Sequence, residues 1–386
     1  MSLTVASHYA RMFIKGLSAL IVIYAFALFF KTPIKSALEL VFPPKDPPNP
    51  IYGQLEPLEF IAQPITGQVE SFELNTVDGK FPKDLPKKMT VYKFVQPFLS
   101  FNAGKNAQDA AVALGFSDLE IVSDYKSDKF IWKDINNGAT LQTDLLTQSI
   151  DLTTPLQNIS SYYELGSINE EKFVKTAEEL FKDLNKFKDP LYLKGDRKNI
   201  MGRFVGERVV EASTPVEAQL YLADYFRKIE DFPILGPNPK QGLIRIIIGS
   251  PAVVNQKLIN PLVQIYEWGI EETSDASYPI IPVQLAWQNV AKGSGVIANV
   301  TPNNKSPFEV YKKTDVGKVT IEKVYLAYYD NIRPQTYLQP IYVFEGRYAS
   351  QLGAKGEITI YYPAIDGTFV KGTEPDDTGV KKDPVK

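Results

Sequence analysis

The hydrophobic and polar positions of this chain change their period along the sequence, and the first long stretch is almost entirely apolar. From Phe13 to Phe30 the only exceptions are Lys15, Gly16 and Ser18. These eighteen residues, if helical, extend about 27 Å, which matches a hydrocarbon core of roughly 30 Å. Segment 13–30 is therefore predicted to be a transmembrane anchor that follows a short tail, 1–12. The anchor residues are Phe13, Leu17, Leu20, Phe29 and Phe30.

A cleaved signal peptide is the alternative for this stretch, because Ala25-Phe26-Ala27 has the small-x-small form of a cleavage site. The apolar run continues past that site, where a mature chain normally becomes polar, so the uncleaved anchor is favoured. Cationic residues on the two sides of the span are nearly balanced, but a short leading tail favours translocation of the large body. We therefore expect a single-pass cell-membrane protein that contacts lipid through its N-terminal helix and has an extracytoplasmic C-terminal body.

The pattern changes after "PPKDPPNP" at 43–50, which ends a predicted juxtamembrane segment and Pro-rich spacer over 31–50. Strands are predicted over 69–74 and 89–95, and a tight hairpin turn at Asn137-Gly138. Between them, the spacing of four apolar residues predicts a helix. These residues are Ala107, Ala110, Ala111 and Leu114. Residues 51–163 are therefore predicted to form a small α+β domain.

A stronger helical stripe begins the next segment, and Ser167 with Glu170 fits a capping box before it. The stripe consists of Phe173, Val174, Ala177, Leu180, Phe181, Leu184 and Phe187. A second helix is predicted over 283–292, and strand-like sequence follows both helices.

The strands after the two helices read alike. "YLADYF" at 221–226 resembles "YLAYYD" at 325–330, and each begins 34 residues after the end of its helix. The pattern G-x-I-x-I also occurs twice, from Gly242 and from Gly356. Each match is weak by itself, since Tyr, Leu and Ile are common in strands. The shared order favours an internal duplication over chance, with repeats at 164–275 and 276–366. The remaining residues, 367–386, are predicted to be a disordered tail.

The predicted fold class is thus α+β, with an N-terminal transmembrane helix followed by small units of antiparallel sheet plus helix. The last two units are the predicted duplication. Alternating residues in "GEITIYY" at 356–362 indicate a sheet with one buried face.

Composition removes several function classes. The net charge of −3 shows no basic excess, so nucleic acid is not expected as a partner. The chain has no cysteine, and His8 is its one histidine. Thiol catalysis, disulfides, zinc fingers and Ser-His-Asp triads each need a side chain that is missing here. We expect no catalytic residue, no metal site and no cofactor.

The remaining chemical candidates are weak. Ser123 and Lys126 have the spacing of a Ser-Lys dyad but lack the other elements of such enzymes. The adjacent acids at 271–272 and 376–377 point apart in most backbones and are interpreted as solvated charges. The excess of tyrosines could form a platform for a partner, although half of them are expected to pack in the core. The candidate partner-binding aromatics are Tyr328, Tyr329, Tyr337 and Tyr361.

A helix followed by an antiparallel sheet, twice, with "VYLAYYD" and "YLQPIYVFEG" in the second copy, resembles tandem PepSY-like modules as in YycI-type extracytoplasmic regulators. The whole chain is also similar to uncharacterised single-pass bacterial membrane proteins. The resemblance implies a non-enzymatic protein that binds another protein of the bacterial cell envelope as its regulator or adaptor. The alternatives are an envelope hydrolase that acts on glycan or peptide through two carboxylates, and a structural envelope spacer.

Overall fold

The computed structural model describes Leu17 and residues 47–116, 128–166, 169–249, 260–303, 305–351 and 353–373. By its internal contacts the chain divides into two compact units, 1–49 and 50–386. We call the second unit the body.

Strands outnumber helices in the described part of the body. Their bounds are β1 Ser71–Leu74, β2 Lys88–Thr90, β3 Tyr92–Lys93, β4 Lys129–Lys133, β5 Thr140–Asp144, β6 Ile150–Thr153, β7 Arg197–Val205, β8 Arg208–Glu211, β9 Leu220–Tyr225, β10 Arg227–Ile229, β11 Phe232–Leu235, β12 Ile244–Gly249, β13 Leu262–Ile265, β14 Ser277–Pro279, β15 Val296–Pro302, β16 Lys318–Tyr329, β17 Tyr337–Ala349 and β18 Lys355–Pro363. The α-helices are α1 Ala103–Ala113, α2 Glu170–Asp183, α3 Leu191–Lys194 and α4 Val283–Ala291. Short 3-10 helices span Leu156–Asn158, Ser160–Tyr162 and Gly367–Phe369.

The first sheet has eight antiparallel strands in the order β4-β5-β6-β13-β12-β9-β7-β8. Helices α1 and α2 cover one of its faces, where Phe173 of α2 stacks on Tyr221 of β9 with ring centroids 5.1 Å apart. The other face also has apolar residues, among them Leu222 and Ile247. Because both faces are covered, β9 and β12 are buried along almost their whole length.

The second sheet also has eight strands. Its main path is β10-β11-β16-β17-β18-β15, while β1 pairs with β16 and β3 pairs with one end of β17. The long strands β16 and β17 form its centre and are antiparallel, with one irregularity in register between Ile321 and Lys323. The largest core of the body lies on one face of this sheet, where α4 contributes Ala286 and Val290.

A buried ionic cluster lies where the chain passes from the first sheet to the second. β9 ends at Tyr225 and β10 begins at Arg227, so one residue separates strands of different sheets. Arg227 Nη1 donates to Asp189 Oδ2 at 2.6 Å, and its Nη2 donates to the fully buried Asp330 at the end of β16. Trp268 Nε1 also donates to Asp330, at 3.2 Å. The Arg227 guanidinium therefore binds carboxylates near both sheets.

The predicted α+β fold class is wrong, because the body consists mostly of β-sheet. Strand accounts for 37% of the described residues and helix for 16%. The strands are also not confined to small separate units. β6 pairs with β13, so the first sheet joins residues from the predicted domain 51–163 to residues from the predicted repeat 164–275.

The duplication predicted as part of that fold class fails on the positions of the matching strands. β9 lies directly beside β12, whereas β17 separates their counterparts β16 and β18. "FPI" at 232–234 belongs to β11, which leaves the first sheet and pairs with β16 of the second. The two similar stretches therefore occupy different topological positions, and their likeness reflects the residues that buried strands share.

Several local predictions are confirmed. Helices α1, α2 and α4 lie where the apolar spacing places them, although α2 ends at Asp183, before the last two residues of its predicted stripe. Gly138 has the positive φ of 75° that the turn between β4 and β5 requires. The cap of α2 differs, because Asn169 accepts a hydrogen bond from the Lys172 amide at 2.8 Å. Ser167, predicted for that role, lies outside the described residues.

The predicted anchor at 13–30 lies outside the described residues except for Leu17, as do residues 1–12, 31–46 and 374–386. Residues 367–373 of the predicted disordered tail are ordered, because Gly367–Phe369 form a 3-10 helix and Val370 pairs with Leu55, so the prediction is wrong for them. Among the residues that are described, no helix is both long enough and apolar enough to cross a membrane.

Candidate binding groove

Three of the four candidate partner-binding tyrosines are buried. Tyr328 and Tyr329 have no exposed area, and Tyr361 is 1% exposed. Their hydroxyl groups donate to the carbonyl oxygens of Thr90, Glu59 and Gly236, respectively. Tyr337 is half-buried and stacks on Tyr52 with ring centroids 4.8 Å apart. These tyrosines therefore pack in the body and do not form a common exposed platform.

The other candidate residues from the sequence also do not form a site. Glu272 forms an ion pair with Lys194 at 2.7 Å. His8, Ser123, Lys126 and the acids at 376–377 lie outside the described residues. Within the part of the chain that the structure describes, no group of three or more His, Cys, Asp or Glu side chains is placed to hold a metal ion.

A groove of about 960 Å³ lies over the face of the first sheet that α1 and α2 leave free. One wall is the segment 153–157, and the other is the loop 307–312. The floor is formed by residues on β8, β12 and β13. These are Val209, Arg245, Ile247, Leu262 and Gln264. The groove thus crosses several strands and presents both aliphatic and amide side chains to a ligand.

Two glycines allow aromatic rings to pack on the sheet beside the groove. A Cβ added to Gly202 of β7 would lie 2.6 Å from the Phe308 ring, and one added to Gly249 of β12 would lie 2.1 Å from the Tyr163 ring. Neither contact is possible for a larger residue without displacing the ring. Phe308 belongs to one wall, and Tyr163 ends the segment that continues from the other wall. Each glycine therefore leaves room for a ring on the sheet, and Gly202 lets the wall that carries Phe308 lie close to β7.

A smaller pocket of about 170 Å³ opens beside the groove, and we call it the Arg245 pocket. It shares five lining residues with the groove: Gln241, Arg245, Pro307, Glu309 and Tyr311. Arg245 is 7% exposed and stands on β12 next to Asp224 of β9, its partner in register. The two spaces are therefore adjacent, with a buried guanidinium between them.

The partners of Arg245 use only part of its hydrogen-bonding capacity. Its Nη2 donates to the Pro307 carbonyl at 3.1 Å, and its Nη1 lies 3.7 Å from Asp224 Oδ1, beyond hydrogen-bond distance. Asp224 Oδ1 accepts from the Gly242 amide at 2.9 Å instead. Burial raises the pKa of Asp224, opposed mainly by the Arg245 charge, and burial lowers the pKa of Arg245. The partners of these two charged groups therefore replace only part of the water that burial removes.

Another cavity, of about 310 Å³, lies between α1, β5 and the end of α2. Its lining includes Asp109, Asp144 and Lys186. Asp109 forms an ion pair with Lys105 of its own helix, and Asp144 accepts hydrogen bonds from the Leu146 and Thr147 amides of its own turn. These carboxylates serve local structure, and the groove offers the larger surface to a ligand.

Neither Arg245 nor Asp224 was predicted as a site residue from the sequence. The signal that could have found them is a charged residue inside an otherwise apolar strand, as in "GLIRIII" at 242–248 and "YLADYF" at 221–226. Charged side chains are seldom fully buried without a partner, so two such strands predict a buried ion pair if they are neighbours.

Comparisons with known proteins do not assign this chain to a family. No family model matches it. No curated protein matches it either. Among solved structures, it is similar to an uncharacterised protein from Eubacterium rectale at 13% identity and a TM-score of 0.38, over 77% of this chain and 90% of that one. A likeness at this level supports no argument about fold or function, so the site is interpreted from its own geometry.

Proposed function

We propose that the body is a non-catalytic binding module that holds an extended peptide segment of a partner protein in the groove, and acts as a regulator or adaptor of that partner. The observation that carries this proposal is the groove itself, whose lining includes the partly or fully exposed residues Leu156, Leu262 and Val310 together with the amide side chains of Gln241 and Gln264. Ligand sites in proteins combine a mostly apolar lining with a few polar groups in this way.

The lining favours a peptide over a glycan. Exposed aliphatic residues of the lining suit apolar side chains of an extended peptide, and glutamine amides can donate to and accept from its backbone. Of the two aromatic residues in the wall, Phe308 already packs against Gly202 and Val209. The acidic wall residue Glu309 forms an ion pair with Arg208, so its charge is engaged. The partner predicted from the sequence and the PepSY-like resemblance, another envelope protein, would supply such a segment.

A selection experiment tests this proposal. The full chain is used to select peptides of about eight residues, which extend roughly 26 Å as a strand, from a random display library. Affinities of the selected peptides are then compared between the wild-type protein and Thr153→Trp. Thr153 is exposed and lines the groove, so an indole at this position should fill part of the groove and lower affinity at least about tenfold.

The matched control is Thr214→Trp, because Thr214 is also exposed and lies outside the groove lining. It should leave affinity unchanged, and both variants should keep the melting temperature of the wild-type protein. Failure to select any peptide above background would contradict the proposal. Equal binding of the selected peptides to both variants would show that they bind elsewhere on the protein.

A further inference from the structure

We infer that the Arg245 pocket binds a carboxylate group of the ligand, so that the peptide held in the groove is fixed in position by a C-terminal or side-chain carboxylate. This inference rests on the proposed function and adds the chemical group that the ligand must carry. It follows from the free donors of Arg245, from the charges of the pocket and from a second unused donor in its lining.

The first support is the geometry of the guanidinium. An arginine carries five N–H donors in a planar fork that matches two oxygens of a carboxylate. Arg245 makes one hydrogen bond among the described residues, to the Pro307 carbonyl, and its contact with Asp224 at 3.7 Å is an ion pair only. Since this side chain lines both the groove and the pocket, a ligand in the groove reaches its remaining donors.

The second support is the charge of the pocket lining, which holds four cationic side chains and three carboxylates. Lys240 pairs with Glu357 at 3.0 Å, and Glu309 pairs with Arg208. Lys305 donates to the Val310 carbonyl at 2.7 Å.

The charges that remain are that of Lys305, whose hydrogen-bond partner is a neutral carbonyl, and those around Asp224. Its carboxylate interacts with both Arg245 and Lys198, so two cations share one anion. A ligand carboxylate would balance this local excess of positive charge, and a ligand cation would increase it. The pocket therefore complements a negative group.

The third support is Asn299 of β15, which is 1% exposed and lines the same pocket. Its Oδ1 accepts from Thr301 Oγ1 at 3.0 Å, whereas its buried Nδ2 has no partner among the described residues. Buried donors without a partner are rare in proteins and need an explanation. An acceptor group bound in the pocket would supply the missing partner. Two separate side chains thus provide unused donors and call for oxygen acceptors.

The first test uses a small probe that does not depend on the peptide. The full chain is titrated with sodium acetate and, in parallel, with neutral acetamide, while NMR follows the Nε–H signal of Arg245. This signal is assigned by its loss in Arg245→Lys. Acetate should shift it in a saturable manner and acetamide should not. Equal shifts with both probes, or no shift with either, would overturn the inference.

The second test uses the peptides selected on the wild-type protein. Their affinities are measured with the carboxylates intact, with the C-terminus amidated, and with each Asp or Glu replaced by its amide. One of these changes should weaken binding about ten- to hundredfold, as expected for a charge-assisted hydrogen bond. The same change should have no effect on binding to Arg245→Met, because the two changes remove the same contact.

The matched protein control is Arg203→Met, which removes an exposed arginine of β7 that lies 4.0 Å from Glu217 and outside the lining of both the groove and the pocket. It should preserve the preference for the carboxylate. Amidation also needs no change in the protein, so the second test holds even if Arg245→Met folds poorly. Peptides that bind the groove without any preference for a carboxylate would overturn this inference and leave the proposed function intact. If acetate shifts the Arg245 signal in a saturable manner but no peptide can be selected, the carboxylate site would be supported and the proposed peptide binding would be contradicted.

Discussion

Replacing Arg227 with methionine is expected to lower the free energy of unfolding by about 3–5 kcal/mol, because it leaves two buried carboxylates without their cation. Arg227 is 3% exposed, and it donates hydrogen bonds to the carboxylates of both Asp189 and Asp330. The cluster lies at the passage from the first sheet to the second, so its loss should affect both. Chemical denaturation of the full chain measures the effect.

The loss of stability in Arg227→Met should also depend on pH. Burial raises the pKa of Asp330 to about 6 in the wild-type protein, and Arg227 opposes that rise. Without Arg227 the pKa of Asp330 must rise further. A carboxyl whose pKa is higher in the folded state contributes stability that is lost as pH rises through the folded value. The difference between Arg227→Met and the wild-type protein should therefore be larger at about pH 8 than at about pH 5.

The control is Arg197→Met, because the Arg197 ion pair with Glu170 is largely exposed. Such a pair contributes about 0–1 kcal/mol, so this variant should lose little stability. Adding Asp330→Asn to Arg227→Met should recover part of the loss, since it removes one uncompensated charge. A loss for Arg227→Met that equals that of the control, or that does not change with pH, would contradict this description of the cluster.

Phe344→Ala is the second large expected effect, with a loss of about 3–5 kcal/mol in the free energy of unfolding. Phe344 lies at the centre of β17, between Val324 of β16 and Ile360 of β18, and has no exposed area. Its ring also lies 5.9 Å from that of Trp287 on α4, so its removal leaves a cavity between sheet and helix. Thermal and urea denaturation measure this loss.

Two further variants test whether the loss of stability in Phe344→Ala comes from the burial of this side chain. Phe101→Ala removes the same side chain at an exposed position and should change stability by less than about 0.5 kcal/mol. Phe344→Leu keeps much of the buried volume and should lie between the wild-type protein and Phe344→Ala. Similar losses for Phe344→Ala and Phe101→Ala would show that the second sheet is not packed as described.

Local elements of this fold could be predicted from the sequence because they depend on nearby residues. The stripe that includes Phe173, Ala177 and Leu180 predicts α2, since residues three or four positions apart share one face of a helix. Asn137-Gly138 predicts a turn because the glycine accepts a positive φ. In both cases the physical cause lies within a few residues of the element.

The arrangement of the strands could not be predicted in this way. β10 and β11 lie between β9 and β12 in the sequence, yet they leave the first sheet and join the second. Nothing in the local pattern distinguishes a strand that continues a sheet from one that crosses to another. The two similar stretches suggested a duplication because buried strands draw on the same few residue types, irrespective of their neighbours.

The candidate site was missed for a related reason. Arg245 and Asp224 are separated by about twenty positions and become neighbours only through the pairing of β9 with β12. The tyrosines, in contrast, attracted attention by their number, although the fold uses three of the four candidates in the core. A charge inside an apolar strand was the better signal, because burying it without a partner would be costly.

That the groove on the first sheet binds a peptide is a claim that amide hydrogen exchange can test segment by segment. Exchange is measured for the full chain alone and with a saturating concentration of a selected peptide. We expect protection to concentrate in the segments that line the groove, 153–157, 261–264 and 307–312. Protection confined to segments outside the lining, such as β4 or β16, would contradict the claim.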